Sequence, residues 1–168
     1  MEKIIISNVK DAECNWDANL NNEVDPHGTH NHSYEFQRSN ISRPFFQGWG
    51  KLEVYFMILQ PGKANFPYHY HTANDEMFYI ISGEGTLKTP EGDKIVSEGD
   101  VVIMPAHENG AHMVINNSDA PLVYLDLKTA ISPDVVMRPE TDTFIVFADK
   151  MIAQAYKKDS SVNFLVDE

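Results

Sequence analysis

Between residues 49 and 129 the chain is written in short runs of β-forming residues, broken again and again by Gly, Pro, Asn and Asp. Leu52–Gln60 stops at the turn dipeptide Pro61-Gly62, and Ala64–His71 follows it. Glu76–Ile81 is closed by Ser82-Gly83-Glu84-Gly85. Thr86–Thr89 and Lys94–Val96 flank Pro90-Glu91-Gly92-Asp93, the signature of a hairpin. Gly99-Asp100 turns the chain into Val101–Met104, and Ala111–Asn116 and Pro121–Lys128 are separated by Asn117-Ser118-Asp119. Strands this short, recurring at about 8–12 residues, make a sandwich or barrel. No helical pattern interrupts them, which disfavours a parallel α/β sheet.

The flanks read differently. Residues 1–48 are irregular and polar, with few alternating segments. Residues 130–168 form a tail in which a short helix is expected. Asp149 is placed to cap it, Met151, Ile152, Ala155 and Tyr156 fall on one face, and Lys157 and Lys158 suit its last turn. At 168 residues the chain is expected to be one domain, long enough to bury a core without disulfide staples.

On this β scaffold sits His69-Tyr70-His71-Thr72-Ala73-Asn74-Asp75-Glu76, with His112 further on. Side chains alternate across a strand, so His69 and His71 share one face while Tyr68 and Tyr70 take the other. Glu76 opens the next strand after a short connection, and His112 starts a later one. In a small barrel the inward positions of several strands converge. A lone histidine at a strand end is usually a polar residue and nothing more. Three histidines and a carboxylate that can converge are the donor set of one divalent transition metal: Mn, Fe, Ni, Cu or Zn. With one carboxylate among the ligands, the bound ion keeps a charge of about +1, and an octahedral ion leaves two positions open for water, a chelating oxygen substrate or dioxygen.

Other candidates are weaker. For His107 and Glu108, in the loop before His112, the plainer reading is a solvated loop pair; the sharper one makes one of them a general acid/base beside the metal. Met57, Phe66, Phe78 and Met104 are expected to line a substrate pocket, and Ile80 and Val114 to be core. Asn116 reads as a loop hydrogen bonder rather than a ligand. His27, His30 and His32 lie in a polar loop with no carboxylate or cysteine pattern to make a second metal site. Trp16 and Trp49 read as packing anchors.

Charge narrows the partners. A net charge of −12 repels phosphate backbones and anionic lipid, so neither nucleic acid nor membrane is an expected partner. No run approaches the ~20 apolar residues of a membrane span, and the N-terminus lacks a signal-peptide pattern. Cys14 is the single cysteine and cannot form an internal disulfide, which fits a reducing cytoplasm.

These residues also carry a resemblance. Gly62, His69, His71, Glu76 and Gly83, and then Gly99, Pro105, His112 and Asn116, follow in order the two sequence motifs of the cupins. One extra residue separates Gly62 from His69, and the loop from Ala106 to Ala111 is longer than the pattern and lacks its glycine. The run from Pro67 to Asn74, with Gly110-Ala111-His112 and Ser132–Val136, resembles a single-domain bacterial cupin group. The resemblance implies an all-β double-stranded β-helix, or jelly-roll, barrel with its core at about residues 50–129. Residues 1–49 would be an N-terminal arm and residues 130–168 a C-terminal extension. It implies a homodimer in which an arm covers a partner's edge. It leaves two functions open: a metal-dependent enzyme of dioxygenase or isomerase type acting on a small oxygenated or aromatic molecule, or a non-catalytic module binding a small acid or sugar.

Overall fold

The computed structural model describes residues 16–19, 33–41, 51–148 and 152–160. It is all-β. The large sheet contains β1 (Trp16–Asn19), β2 (Ser33–Asn40), β3 (Leu52–Leu59), β4 (Lys63–Ala64), β6 (Glu76–Ser82), β7 (Glu84–Thr89), β8 (Gly92–Ser97), β9 (Val101–Met104), β10 (Met113–Ile115) and β11 (Leu122–Thr129). Its strands run in the order β8-β7-β10-β4-β2-β3-β11-β6-β9, with β1 paired to β2. The sheet curls on itself as a double-stranded β-helix. A second sheet, in the order β14-β13-β12-β5, joins β5 (Tyr70–His71) to β12 (Asp134–Arg138), β13 (Thr143–Ala148) and β14 (Ile152–Lys157).

Period-two alternation explains the core. On β3, Tyr55, Met57 and Leu59 are buried; on β6, Glu76, Phe78 and Ile80; on β11, Leu122, Tyr124 and Asp126. β11 is paired antiparallel on both sides, to β3 from Leu122↔Leu59 to Thr129↔Leu52 and to β6 at Asp126↔Phe78. Inward positions therefore stack across three neighbouring strands, which is how a closed sheet fills its interior. Met104, Val114, Leu87 and Val96 complete this cluster, and Phe66 packs against it.

Three expectations differ from the structure. Ser33–Asn40, left without a strand by its polar surroundings, is β2 in the body of the large sheet, where Tyr34 and Phe36 are buried. The alternation Tyr34, Phe36 carries the signal, but it is only two residues long. Ala64–His71 is not one strand. Pro67 has no N–H to give a ladder, and the run splits into β4, which pairs with β10, and β5, which pairs with β12.

The expected C-terminal helix is the third: Ile152–Lys157 is strand β14, aligned on β13 from Thr143↔Lys157 to Ala148↔Ile152. Phe144 and Tyr156 stack at 5.4 Å between centroids. A helical stripe of four apolar residues is too short to hold against an open hairpin partner of β-forming sequence, Thr143-Phe144-Ile145-Val146-Phe147. Asp149 and Met151 lie outside the described residues, as do Cys14, His27, His30, His32 and Trp49. No helix among the described residues is long and apolar enough to cross a membrane.

Candidate metal centre

His69, His71 and Glu76 offer ligand atoms that all lie within 4.8 Å of one another, and all three residues are buried. His112 is brought to the same place. Its backbone bridges that of His69, with His69 N–H donating to His112 O at 3.1 Å and His112 N–H to His69 O at 2.8 Å. The two rings sit 4.7 Å apart, and His71 is 5.5 Å from His69. Glu76 Oε2 lies 3.3 Å from His112 Nε2 and 3.6 Å from His71 Nε2.

The fold sets the orientation of each ring. His69 Nδ1 is 2.8 Å from Pro67 O, and His112 Nδ1 is 2.9 Å from Gly110 O. A carbonyl only accepts, so each Nδ1 carries the proton and each neutral ring turns a bare Nε2 toward Glu76. His71 Nδ1 faces Asp134 Oδ2 at 2.5 Å. Neither His112 Nε2 nor Glu76 Oε2 has a hydrogen-bond partner, although both are fully buried. In the neutral state a lone pair faces a carboxylate across 3.3 Å, an arrangement that a cation between them satisfies. The donor set, three imidazoles and one carboxylate, fits a divalent transition metal.

Burial and charge tune the same groups. Burial, reinforced by His112, holds His69 well below the ordinary histidine range. Burial alone would raise Glu76, but the neighbouring His112, His71 and His69 outweigh it and keep the carboxyl ionised far into acid. Burial lowers His112, but Glu76 beside it wins and lifts it. Without a metal, Glu76 thus favours a proton on His112 Nε2, which then fills the 3.3 Å gap in place of the cation. A metal has to displace that proton, so loading favours higher pH.

One buried acid was not expected at the site. Asp126 lies on β11 beside β6, two positions along from the residue opposite Glu76, on the same inward face. Burial and then the charge of Glu76 push its carboxyl well above the usual range, so it carries its proton and can donate it to Glu76. Its Oδ1 is buried without a hydrogen-bond partner. An aspartate at an inward position of the run Leu122, Tyr124, Asp126 breaks the apolar pattern, and that was the legible signal. Tyr124 is also buried at the centre of the barrel. Its ring is 4.9 Å from Phe78, and its hydroxyl accepts from Asn65 Nδ2 at 3.3 Å.

The remaining expected residues are placed unevenly. Phe78 lies against the centre, its ring 5.4 Å from His112. Phe66 meets His69 edge-on at 5.9 Å and stays half-buried. Met57 and Met104 are buried in the core cluster, because their parity on β3 and β9 turns them inward. Ile80 and Val114 are core. The His107 and Glu108 side chains are exposed, outside the buried cluster. What His107 contributes is its backbone: at φ 75° its N–H donates to His71 O at 2.7 Å, fastening the loop to the ligand strand. Asn116 is a loop clamp and not a ligand, its Nδ2 donating to Leu59 O and Ala120 O at 2.8 Å each.

Comparison with known proteins agrees with this fold. Residues 55–128 match the family model described as Cupin domain. The structure resembles that of a sugar phosphate isomerase from a cupin superfamily of Silicibacter pomeroyi, with a TM-score of 0.66 and 24% identity over 76% of this chain and 81% of the other. A protein proposed to be a sugar phosphate isomerase, from Acidithiobacillus ferrooxidans, gives 0.66 and 24% over 78% of this chain and 82% of that one. A predicted oxalate decarboxylase from Thermotoga maritima gives 0.58 and 18% over 76% of this chain and the whole of the other. At these identities the likeness is one of fold. No curated protein matches the sequence.

Proposed function

We propose that this chain, whose residues 55–128 match the cupin-domain model, is a metal-dependent enzyme acting on a small oxygen-bearing molecule, by isomerase- or dioxygenase-type chemistry. The observation that carries this reading is the pair of unpartnered atoms, His112 Nε2 and Glu76 Oε2, buried and turned toward one another. His69, His71, Glu76 and His112 would hold one divalent ion. When bound, that ion supplies Lewis-acid or redox character to an oxygen ligand in its open positions.

The chain's own residues do the rest. Pro67 O, Gly110 O and Asp134 orient the three rings. Phe66 and Phe78 keep one side of the site apolar, which weakens competition from water. Asp126 holds a proton next to Glu76. The names of the similar isomerases and of the decarboxylase agree with a small hydroxylated or carboxylated substrate.

The second reading, a binding module for a small acid or sugar, draws on the exposure of His107 and Glu108, which keeps both candidate acid/base side chains away from the buried cluster. We assign the chain to the cytoplasm and to a homodimer. The dimer is supported by exposed Val101 and Ile103 on β9, which ends the large sheet, because apolar edge strands invite pairing.

Elemental analysis of protein purified without added metal or chelator tests the first step. About one equivalent of a transition metal, lost in Glu76→Gln, is the expected result; metal-free protein that takes up none of the five candidate ions on titration refutes it. Screening small hydroxy acids and sugars then divides the chemistry. Oxygen uptake by the iron or manganese form marks the oxygenase, exchange of a substrate C–H with solvent marks the isomerase, and binding without turnover marks the module.

A further inference from the structure

Asp134 stands outside the matched domain, in β12, yet it reaches one of the four metal-ligating residues. It is buried, and its two oxygens have separate partners. Oδ2 lies 2.5 Å from His71 Nδ1, while Oδ1 accepts the Ala73 N–H at 3.0 Å. Its placement is set by the backbone. β12 pairs with β5 at Val136↔His71, Thr72 N–H donates to Val135 O at 3.0 Å, and Val135 N–H donates to Thr72 Oγ1 at 3.1 Å. Asn74 closes the approach to β12: its Nδ2 donates to Ile131 O at 3.1 Å and its Oδ1 accepts Ile131 N–H at 2.7 Å.

From this geometry we infer that Asp134 is the positioning residue of the metal centre, fixing the His71 proton on Nδ1 so that Nε2 is presented to the cation. The inference rests on the metal reading above. It makes the strands after residue 128 part of the site rather than an appendage. Among the described ligands, His69 and His112 are held by neutral carbonyls, and His71 is the one held by a carboxylate. A carboxylate behind an imidazole fixes its tautomer and raises its strength as a ligand.

Substitution by an amide separates this role from a merely structural one. In Asp134→Asn the amide oxygen still accepts the Ala73 N–H, so the loop keeps its anchor. The amide NH₂ then faces His71 Nδ1 and donates to it, which drives the ring proton to Nε2, the ligating atom. The expected result is a zinc affinity lower by about 10–100-fold, with the melting temperature of the metal-free protein kept.

The experiment uses the full chain and zinc alone as the probe. Affinity is measured by competition with a chelator, and long-range ¹H–¹⁵N correlations are recorded on the imidazoles of the zinc-loaded wild type. Equal zinc affinity in wild type and Asp134→Asn would overturn the inference. So would a zinc-loaded wild type in which His71 carries its proton on Nε2, a result that needs no folded variant. A wild type that binds neither zinc nor any other candidate ion fails earlier, at the metal reading itself, and takes the inference with it.

Discussion

At the scale of single residues, the site is a set of donors whose remaining hydrogen-bonding capacity has been used up elsewhere. Each imidazole spends Nδ1 on a fixed acceptor, so the atoms left over are those a cation needs. Removing a ligand atom therefore costs more than removing a supporting one. Glu76→Gln and His112→Ala should each lower metal affinity by at least about 100-fold, the upper end of what supporting residues cost, as read by chelator competition. The donors were legible in the primary order, because H-x-H followed by a carboxylate is visible as written. Asp126 left only the trace of its inward parity after Leu122 and Tyr124, and Asp134 left none: an acidic residue in a strand reads as solvent-facing until its neighbours are known.

A pH effect belongs to this scale. Burial would raise Asp134, but hydrogen bonds from His71, Asn74 and Ala73 outweigh it and hold the carboxyl down to about 2. A depressed carboxyl stabilises the fold above its unfolded value and loses that contribution as pH falls through the folded one. The metal-free protein should lose about 2 kcal/mol from this group between roughly pH 4 and pH 2. Urea titrations across that window should show a shallower acid limb in Asp134→Asn; identical limbs would count against the assignment.

At the scale of elements, the loop from Pro105 to Ala111 shows how local geometry serves the centre. A Cβ at Gly110 would sit 1.8 Å from Pro105 O, so only glycine lets the 3-10 turn Glu108–Gly110 close on itself. Gly110 also supplies the carbonyl that orients His112. Gly110→Ala should destabilise the protein by about 3 kcal/mol in denaturant unfolding, through overpacking against backbone, and should weaken metal binding with it. Gly83 turns between β6 and β7 at φ 87°, and a Cβ there would meet Pro121 O at 2.4 Å. Apart from β2 and the split of Ala64–His71, the strands of the barrel followed from period-two patterning and turn residues. β14 did not, because six residues can satisfy either period and the choice fell to an available neighbour, β13.

At the scale of the whole molecule, the four candidate donors, from the run His69–Glu76 and from His112, meet because two sheets are stitched together at β5. Tyr70–His71 pairs with β12, while His69 bridges His112 at the margin of the large sheet. Folding thus assembles the donors, and burying these polar groups without a cation is part of its cost. Binding only to the folded state should raise thermal stability. At a free metal concentration of 100 times Kd, the gain is about 2.7 kcal/mol, or a rise of about 5–10 °C in Tm for a chain of this size. Calorimetry with and without zinc and chelator reads this directly, and a Tm indifferent to both would contradict the centre.

The sequence alone determined the fold class and marked the candidate donors, because alternation and turn residues are local codes and donor chemistry belongs to residue types. The tertiary structure alone decided which carboxylates stand behind those ligands, where the chain beyond residue 128 goes, and which loop residues stay in solvent. Those outcomes depend on pairing between segments far apart in the chain, and no window of neighbouring residues contains that information.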